Sequence, residues 1–104
     1  MKMLTAQNRK DLPKLYSQEN VEDPMVVVKF FTPFNNWTWY AIEGEPVLDE
    51  DTCEEVDFRF FGLVEGFEKE LGYFHLSELD IKKNGLRLIE RDMYFTPKPV
   101  STFK

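Results

Sequence analysis

Residues 57–76 read DFRFFGLVEGFEKELGYFHL, and this stretch decides the fold of the chain. Asp57–Glu65 is rich in aromatic and aliphatic side chains and predicts a β-strand. Gly66 and the following segment Phe67–Lys69 predict a turn, after which Leu71–Leu76 returns antiparallel to the first strand. The stretch therefore predicts an antiparallel pair of strands.

Two further strands are predicted upstream of this pair. Met25–Phe31 is rich in Val and Phe and is stopped by the dipeptide Thr32-Pro33. Trp37–Glu43 carries large side chains on alternating faces, which is typical of a strand that is covered on both sides. We expect these two strands to form a hairpin.

Two short helices are predicted to pack on the sheet. Thr5 is a good N-cap for an amphipathic helix that begins at Ala6, and Pro13 limits its length. Ser77 precedes acidic residues and is the predicted N-cap of a second helix, whose C-terminus is indicated by lysines and then Gly85.

A last strand is predicted over Leu86–Phe95, and prolines end the regular structure after it. We expect residues 1–104 to form a single α+β domain with an antiparallel sheet of about four or five strands and two short helices. The aromatic content of 15% supports a packed core.

The segment Gly44–Glu55 is predicted to be a long acidic loop. The residues from Glu43 to Asp57, both included, contain eight acids and no Lys or Arg. The whole chain has a net charge of −6, so its acidity is concentrated in this segment. Such a segment repels nucleic acid and favours a basic partner surface. A solvated loop and a divalent cation site are the alternatives. The predicted partner-binding carboxylates are Asp49, Glu50, Asp51, Glu54 and Glu55.

Three aromatic residues, Trp37, Trp39 and Tyr40, are candidate anchors for a protein partner. Exposed on a sheet, they would also suit stacking with single-stranded bases, but the acidic charge of the chain argues against nucleic acid. In a chain this short they are also needed to build the core.

Catalysis has weak support. His75 is the single histidine and Cys53 the single cysteine, but the acids around Cys53 suppress the thiolate that a nucleophile needs. His75 is more simply a packing or capping residue. Glycine spacing excludes the common phosphate-binding loops. We expect no enzymatic activity and no cofactor or metal.

A cytoplasmic location is expected. A single cysteine cannot form an intrachain disulfide, as is usual in a reducing compartment. The longest apolar runs are far shorter than the roughly 20 residues that span a bilayer. Residues 1–19 also contain charges that interrupt any apolar core of a signal sequence.

Four motifs together resemble the domain of unknown function 2958 family. They are Lys29-Phe30-Phe31-Thr32-Pro33, Asn36-Trp37-Thr38-Trp39-Tyr40, the run from Phe60 to Phe74, and Glu90-Arg91-Asp92. The resemblance covers nearly the whole chain, and Phe60–Phe74 is its most specific part. Gly44–Asp57 departs from the pattern because it is longer and more acidic.

The resemblance implies a short intracellular protein of plasmids, conjugative elements and phages, with no catalytic residues to transfer. Similar members are associated with inhibition of type II CRISPR nucleases, so an anti-CRISPR inhibitor that occludes a basic surface is the preferred hypothesis. The alternatives are an accessory protein of a mobile element's replication or transfer machinery, and a small metal- or His-dependent hydrolase.

Overall fold

The computed structural model describes residues 2–104 as an α+β fold. The elements in chain order are α1 Ala6–Asp11, β1 Met25–Val26, β2 Val28–Phe31, β3 Thr38–Leu48, β4 Glu55–Glu65, β5 Lys69–His75, α2 Leu76–Leu79, β6 Lys82–Lys83, β7 Leu86–Arg87, β8 Glu90–Arg91, β9 Lys98–Pro99 and a 3₁₀ helix Val100–Thr102. Five strands form one antiparallel sheet in the order β5-β4-β3-β2-β8, and two pairs of two-residue strands, β1 with β9 and β6 with β7, accompany it. The predicted fold class is confirmed.

Both predicted antiparallel pairs are present. Strands β4 and β5 pair with Phe61 opposite Tyr73, and β2 and β3 pair with Phe30 opposite Trp39. The turn between β4 and β5 is closed by a hydrogen bond from the Gly66 N–H to the Glu68 carbonyl at 3.0 Å. The two pairs supply four of the five strands of the sheet, and large side chains directly opposite one another across each ladder stabilise them.

The prediction of a long acidic loop over Gly44–Glu55 is wrong. Strand β3 continues to Leu48 and β4 begins at Glu55, so only residues 49–54 lie outside the ladder. Pro46 is tolerated because β2 pairs with β3 only as far as Ala41, which leaves the proline on an unpaired edge. The two long strands form an arm that extends beyond the rest of the sheet.

The second predicted helix is a single turn. It begins one residue after His75, which takes the N-cap position assigned to Ser77, and it ends at Leu79. Gly85 does not end a helix: Asn84 and Gly85, with φ values of 53° and 80°, form the two-residue turn of the β6–β7 hairpin. An Asn-Gly pair is a strong signal for such a turn, and here it outweighs the helical tendency of the preceding lysines.

The predicted strand Leu86–Phe95 is also wrong in extent. Only β7 and β8 are extended, and β8 pairs with β2 over just two residues. Between them Ile89 turns into the core, with 5% of its surface exposed. After β8 the chain leaves the sheet edge, and Phe95 packs against the face of the sheet opposite to the one that Ile89 covers.

One face of the sheet, the helix face, is covered by residues 3–12 and by α2. Its core includes a stack of Phe60 on Phe74, with ring centroids 5.1 Å apart. Thr5 caps α1 as predicted, because its hydroxyl accepts the Asn8 N–H while the Asn8 side chain accepts the Thr5 N–H, both at 3.0 Å. Within residues 2–104 no helix is long and apolar enough to cross a membrane.

The other face, the C-terminal face, is covered by the end of the chain. Val100 and Phe103 pack there against Tyr40, Ile42 and Leu63. The Ser101 side chain and N–H bond to the carboxylate of Asp23 at 2.6 and 3.0 Å, which fixes the 3₁₀ helix to the loop before β1. The middle of the sheet is therefore covered on both sides, in accordance with its large side chains at successive positions.

Candidate functional site

The tip of the β3–β4 arm is an ordered turn. The Asp49 carboxylate accepts the N–H groups of Asp51 and Thr52 at 2.9 and 3.0 Å, and the Cys53 N–H donates to the Asp49 carbonyl at 2.9 Å. Cys53 has a φ of 60°, a conformation that closes the turn. The bonds from Thr52 and Asp51 lower the pKa of Asp49. Asp49 therefore acts first as the organiser of the turn.

The remaining predicted carboxylates differ in their surroundings. Glu50, Asp51 and Glu54 are exposed, and none of the ion pairs among residues 2–104 involves them. Glu55 instead receives both guanidinium nitrogens of Arg9 at 2.6 and 2.7 Å, a bond that lowers the pKa of Glu55. The free negative charge of the arm is thus concentrated at the turn, and Glu55 belongs to the contact between the arm and α1.

Two aliphatic side chains border the acidic tip. Leu48 and Val56 are 53% and 61% exposed, at the points where β3 ends and β4 has begun. The tip therefore presents apolar surface between carboxylates, a combination that provides both contact area and charge.

The three candidate aromatic anchors are not equally accessible. Tyr40 is 7% exposed and stacks on Phe103 at 4.3 Å, so its expected role as a surface anchor is wrong. Trp39 is half-buried against the core of the helix face. Trp37 is half-buried and packs edge-on against Phe67, which is 95% exposed. Trp37 and Phe67 are therefore the accessible aromatic pair at the end of the sheet where β3 begins and β4 ends.

The acidic tip and the aromatic pair lie at opposite ends of the molecule. Trp37 precedes the first residue of β3 and Asp49 follows the last, and ten residue steps of strand span about 33 Å. The longest dimension of the fold is 36 Å. One compact partner patch therefore cannot include both the acidic tip and the aromatic pair.

Cys53 lies in the turn at the tip of the arm, whereas His75 ends β5 outside it. His75 precedes α2, and its Nδ1 lies 3.1 Å from Glu78 Oε1, while its backbone N–H donates to the same oxygen at 3.0 Å. His75 pairs with Arg59 of β4, whereas Cys53 lies two residues before Glu55, the first residue of β4. Arg59 and Glu55 are about 13 Å apart along the strand. His75 is a capping residue, and the two side chains do not form a nucleophile and base pair. Among residues 2–104 no group of three or more His, Cys, Asp or Glu residues is arranged to hold a metal ion.

A groove on the C-terminal face has a volume of about 440 Å³ and was not predicted from the sequence. Its floor contains Glu43, which is only 3% exposed although it is a carboxylate. The Glu43 oxygens accept the backbone N–H groups of Tyr16 and Gln18 at 2.8 and 2.7 Å. The position of Glu43 at the end of an otherwise apolar predicted strand was the available signal for this site. The direction of its side chain depends on a β-bulge between Ala41 and Glu43, which the sequence pattern does not show.

The comparison with known families agrees with the motifs. Residues 2–104 match the family described as a protein of unknown function, DUF2958. The chain belongs to this family. The matched range spans the acidic arm as well as the sheet. Neither a curated protein nor a solved structure matches the chain.

Proposed function

We propose that this DUF2958 protein is a non-enzymatic binding protein whose acidic arm docks on a basic surface of another macromolecule. The observation that carries the proposal is the position of the tip, since the β3–β4 ladder extends past its neighbouring strands and ends in Glu50, Asp51 and Glu54. Charges held on a protruding turn reach a recessed basic surface that a flat acidic face cannot contact.

The order of the turn favours binding. The bonds made by Asp49 hold the backbone before a partner arrives, so little conformational entropy is lost on association. Clustered carboxylates accelerate association with a basic partner, and salt weakens the effect. Leu48 and Val56 add apolar contact beside the charges.

The resemblance makes a type II RNA-guided nuclease the first partner to test. Such an enzyme holds nucleic acid in positively charged channels, and a narrow acidic arm is suited to enter a channel of that kind. Occlusion of the channel inhibits cleavage without any chemistry on the nuclease. A protein of the mobile element's own replication or transfer machinery is the next partner to test.

The test compares two variants that change the net charge equally. Glu50→Gln/Glu54→Gln neutralises the tip, and Glu68→Gln/Glu70→Gln neutralises two exposed acids at the other end of the sheet. Affinity for the nuclease, with and without guide RNA, is measured at low and at physiological salt beside DNA cleavage. We expect the tip variant to bind roughly 5- to 30-fold more weakly and the control to change by less than about twofold.

Two results would overturn different parts of the proposal. Equal weakening by both variants would show that the net charge acts at long range and that the tip is not the contact. Failure of the unmodified protein to bind several type II nucleases would remove this partner class. Co-purification with a relaxase or primase from cells carrying the element would then decide for the accessory role.

A further inference from the structure

The groove on the C-terminal face is bounded by the sheet on one side and by a loop on the other. Phe61, Leu71 and Tyr73 form the sheet side, and Tyr16 and Val21 form the loop side. Its volume of about 440 Å³ lies within the usual range of ligand sites, about 300–1,000 Å³. Leu71, Tyr73 and Tyr16 are each about half exposed, so the groove is open to a partner.

The floor of the groove holds a carboxylate that lacks a cationic partner. None of the ion pairs among residues 2–104 involves Glu43, and its hydrogen bonds come from neutral backbone groups. A carboxylate oxygen accepts more than one hydrogen bond, so each Glu43 oxygen retains acceptor capacity. Burial of a charge without an opposite charge is costly, and a cation in the groove would offset that cost.

A backbone irregularity directs Glu43 into the groove. Ala41 faces Gly62 and Glu43 faces Phe61, so Ile42 is an extra residue in β3. As a result Ile42 and Glu43 both line the groove, whereas an ideal strand would send them to opposite faces. Bulges of this kind commonly re-aim a side chain at a binding site.

The aromatic rings suit a cation. Phe61 and Tyr73 are tilted at 58° with centroids 5.0 Å apart, and Tyr16 and Tyr73 at 53° with centroids 6.1 Å apart. The π faces of aromatic rings attract ammonium and guanidinium groups. Tyr73 already has the Arg59 guanidinium 4.1 Å from its centroid, but Arg59 does not line the groove.

The charge of the lining agrees with the rings. Glu19 and Glu22 line the groove with Glu43, and Lys104 is the only Lys or Arg residue among residues 2–104 that lines it. An anion would be repelled by three carboxylates, and a neutral apolar group would leave Glu43 without a counter-charge.

We propose that this groove receives the side chain of an Arg or Lys residue from a partner protein. The aliphatic stem packs against Phe61 and Leu71, and the charged end reaches Glu43 between the tyrosine rings. The groove lies about 20 Å along β3 from the acidic tip, so this inference does not depend on the tip as a contact.

The test uses N-acetyl-arginine methylamide and N-acetyl-lysine methylamide as probes, with N-acetyl-norleucine methylamide as the uncharged analogue. Amide resonances of Tyr16 and Gln18 report on Glu43, because their N–H groups donate to its carboxylate. Amides of Asp51 and Thr52 donate to the exposed Asp49 carboxylate and are the internal control. We expect saturable shifts at Tyr16 and Gln18 with roughly millimolar dissociation constants for the charged probes, and none at the control amides.

Two variants connect the shifts to the groove. Tyr73→Leu removes a ring, and Glu43→Gln removes the charge while keeping an acceptor; each is expected to weaken probe binding at least about fivefold. If Glu43→Gln does not fold, Glu22→Gln replaces it with a smaller expected loss, and Glu68→Gln is the matched control outside the groove. Equal shifts with the norleucine analogue would show an apolar site, and equal shifts at Asp51 and Thr52 would show nonspecific charge association. Either result would overturn the proposal, as would saturable binding that Tyr73→Leu leaves unchanged.

Discussion

Gly62 permits the close approach of β3 and β4 at the bulge, and its replacement by alanine gives a sharp prediction. A Cβ at this position would lie 1.9 Å from the Tyr40 carbonyl oxygen, 2.9 Å from the Tyr40 carbonyl carbon and 3.0 Å from the Ala41 Cα. All three are backbone atoms of the paired strand, so no side chain can rotate away. The strands must separate locally, and overpacking of this kind costs about 1–3 kcal/mol, with the upper end expected here.

The matched control is Gly72→Ala. Gly72 faces Gly62 across the β4–β5 ladder, but a Cβ there meets no atom within 4 Å. Neither glycine has a positive φ, so alanine suits both backbones and only the contacts differ. Gly72→Ala should be neutral or should stabilise the fold by about 0.4–1 kcal/mol through the unfolded chain.

Urea denaturation and thermal melting measure the two variants. Gly62→Ala is expected to lower Tm by roughly 10–20 °C, since about 4–8 °C corresponds to each kcal/mol in a domain near this size. The amide resonances of Tyr16 and Gln18 should also move, because the bulge holds Glu43 under their N–H groups. Equal stability of Gly62→Ala and Gly72→Ala would refute the close approach and, with it, the reason that Glu43 faces the groove.

Three further predictions concern Asp57, the ion pair between the arm and α1, and His75. Burial raises the pKa of Asp57, but hydrogen bonds from the Ser77 hydroxyl and from the Phe58 and Ser77 N–H groups outweigh it and lower the pKa. The stabilising contribution of Asp57 is therefore present above about pH 4 and is lost as pH falls below that value. In acid titrations followed by circular dichroism, Ser77→Ala should reduce this pH dependence, and an unchanged profile would contradict the assignment. Arg9→Met should cost no more than about 1 kcal/mol in urea denaturation, because the ion pair with Glu55 is partly exposed; a loss of several kcal/mol would show that the arm depends on it. His75→Ala should keep the fold and full inhibitory or partner-binding effect, and loss of that effect from a folded variant would revive the hydrolase hypothesis.

The strand pairs were predictable because they depend on local pattern. Two runs of large apolar residues separated by a short glycine-containing turn have few other ways to bury their side chains, so the β4–β5 pair follows from its own sequence. The same holds for the cap of α1, where Thr5 and Asn8 are only three residues apart. Both signals act over short distances and need no knowledge of the rest of the fold.

The arm was mispredicted because acids on its strands are satisfied by distant residues. Acids usually indicate a loop, but Glu55 pairs with Arg9, and Glu45 accepts the backbone N–H of Leu15, both far away in the chain. The predicted extension of the second helix over residues 80–83 failed for the opposite reason, since the local turn signal at Asn84 and Gly85 was present and was assigned to a helix end.

By itself, the sequence determined the α+β class, the antiparallel hairpins and the concentration of negative charge between Glu43 and Asp57, because composition and local periodicity specify these properties directly. Only the tertiary structure decided which of those charges reach solvent. A bulge one residue long turns Glu43 into a groove lined by Tyr16 and Tyr73, and the extension of β3 moves the acidic tip about 33 Å from Trp37. The direction of the Glu43 side chain and the distance between the tip and Trp37 both depend on the register between strands. Pairing across the sheet sets this register, and no single segment of the sequence encodes it.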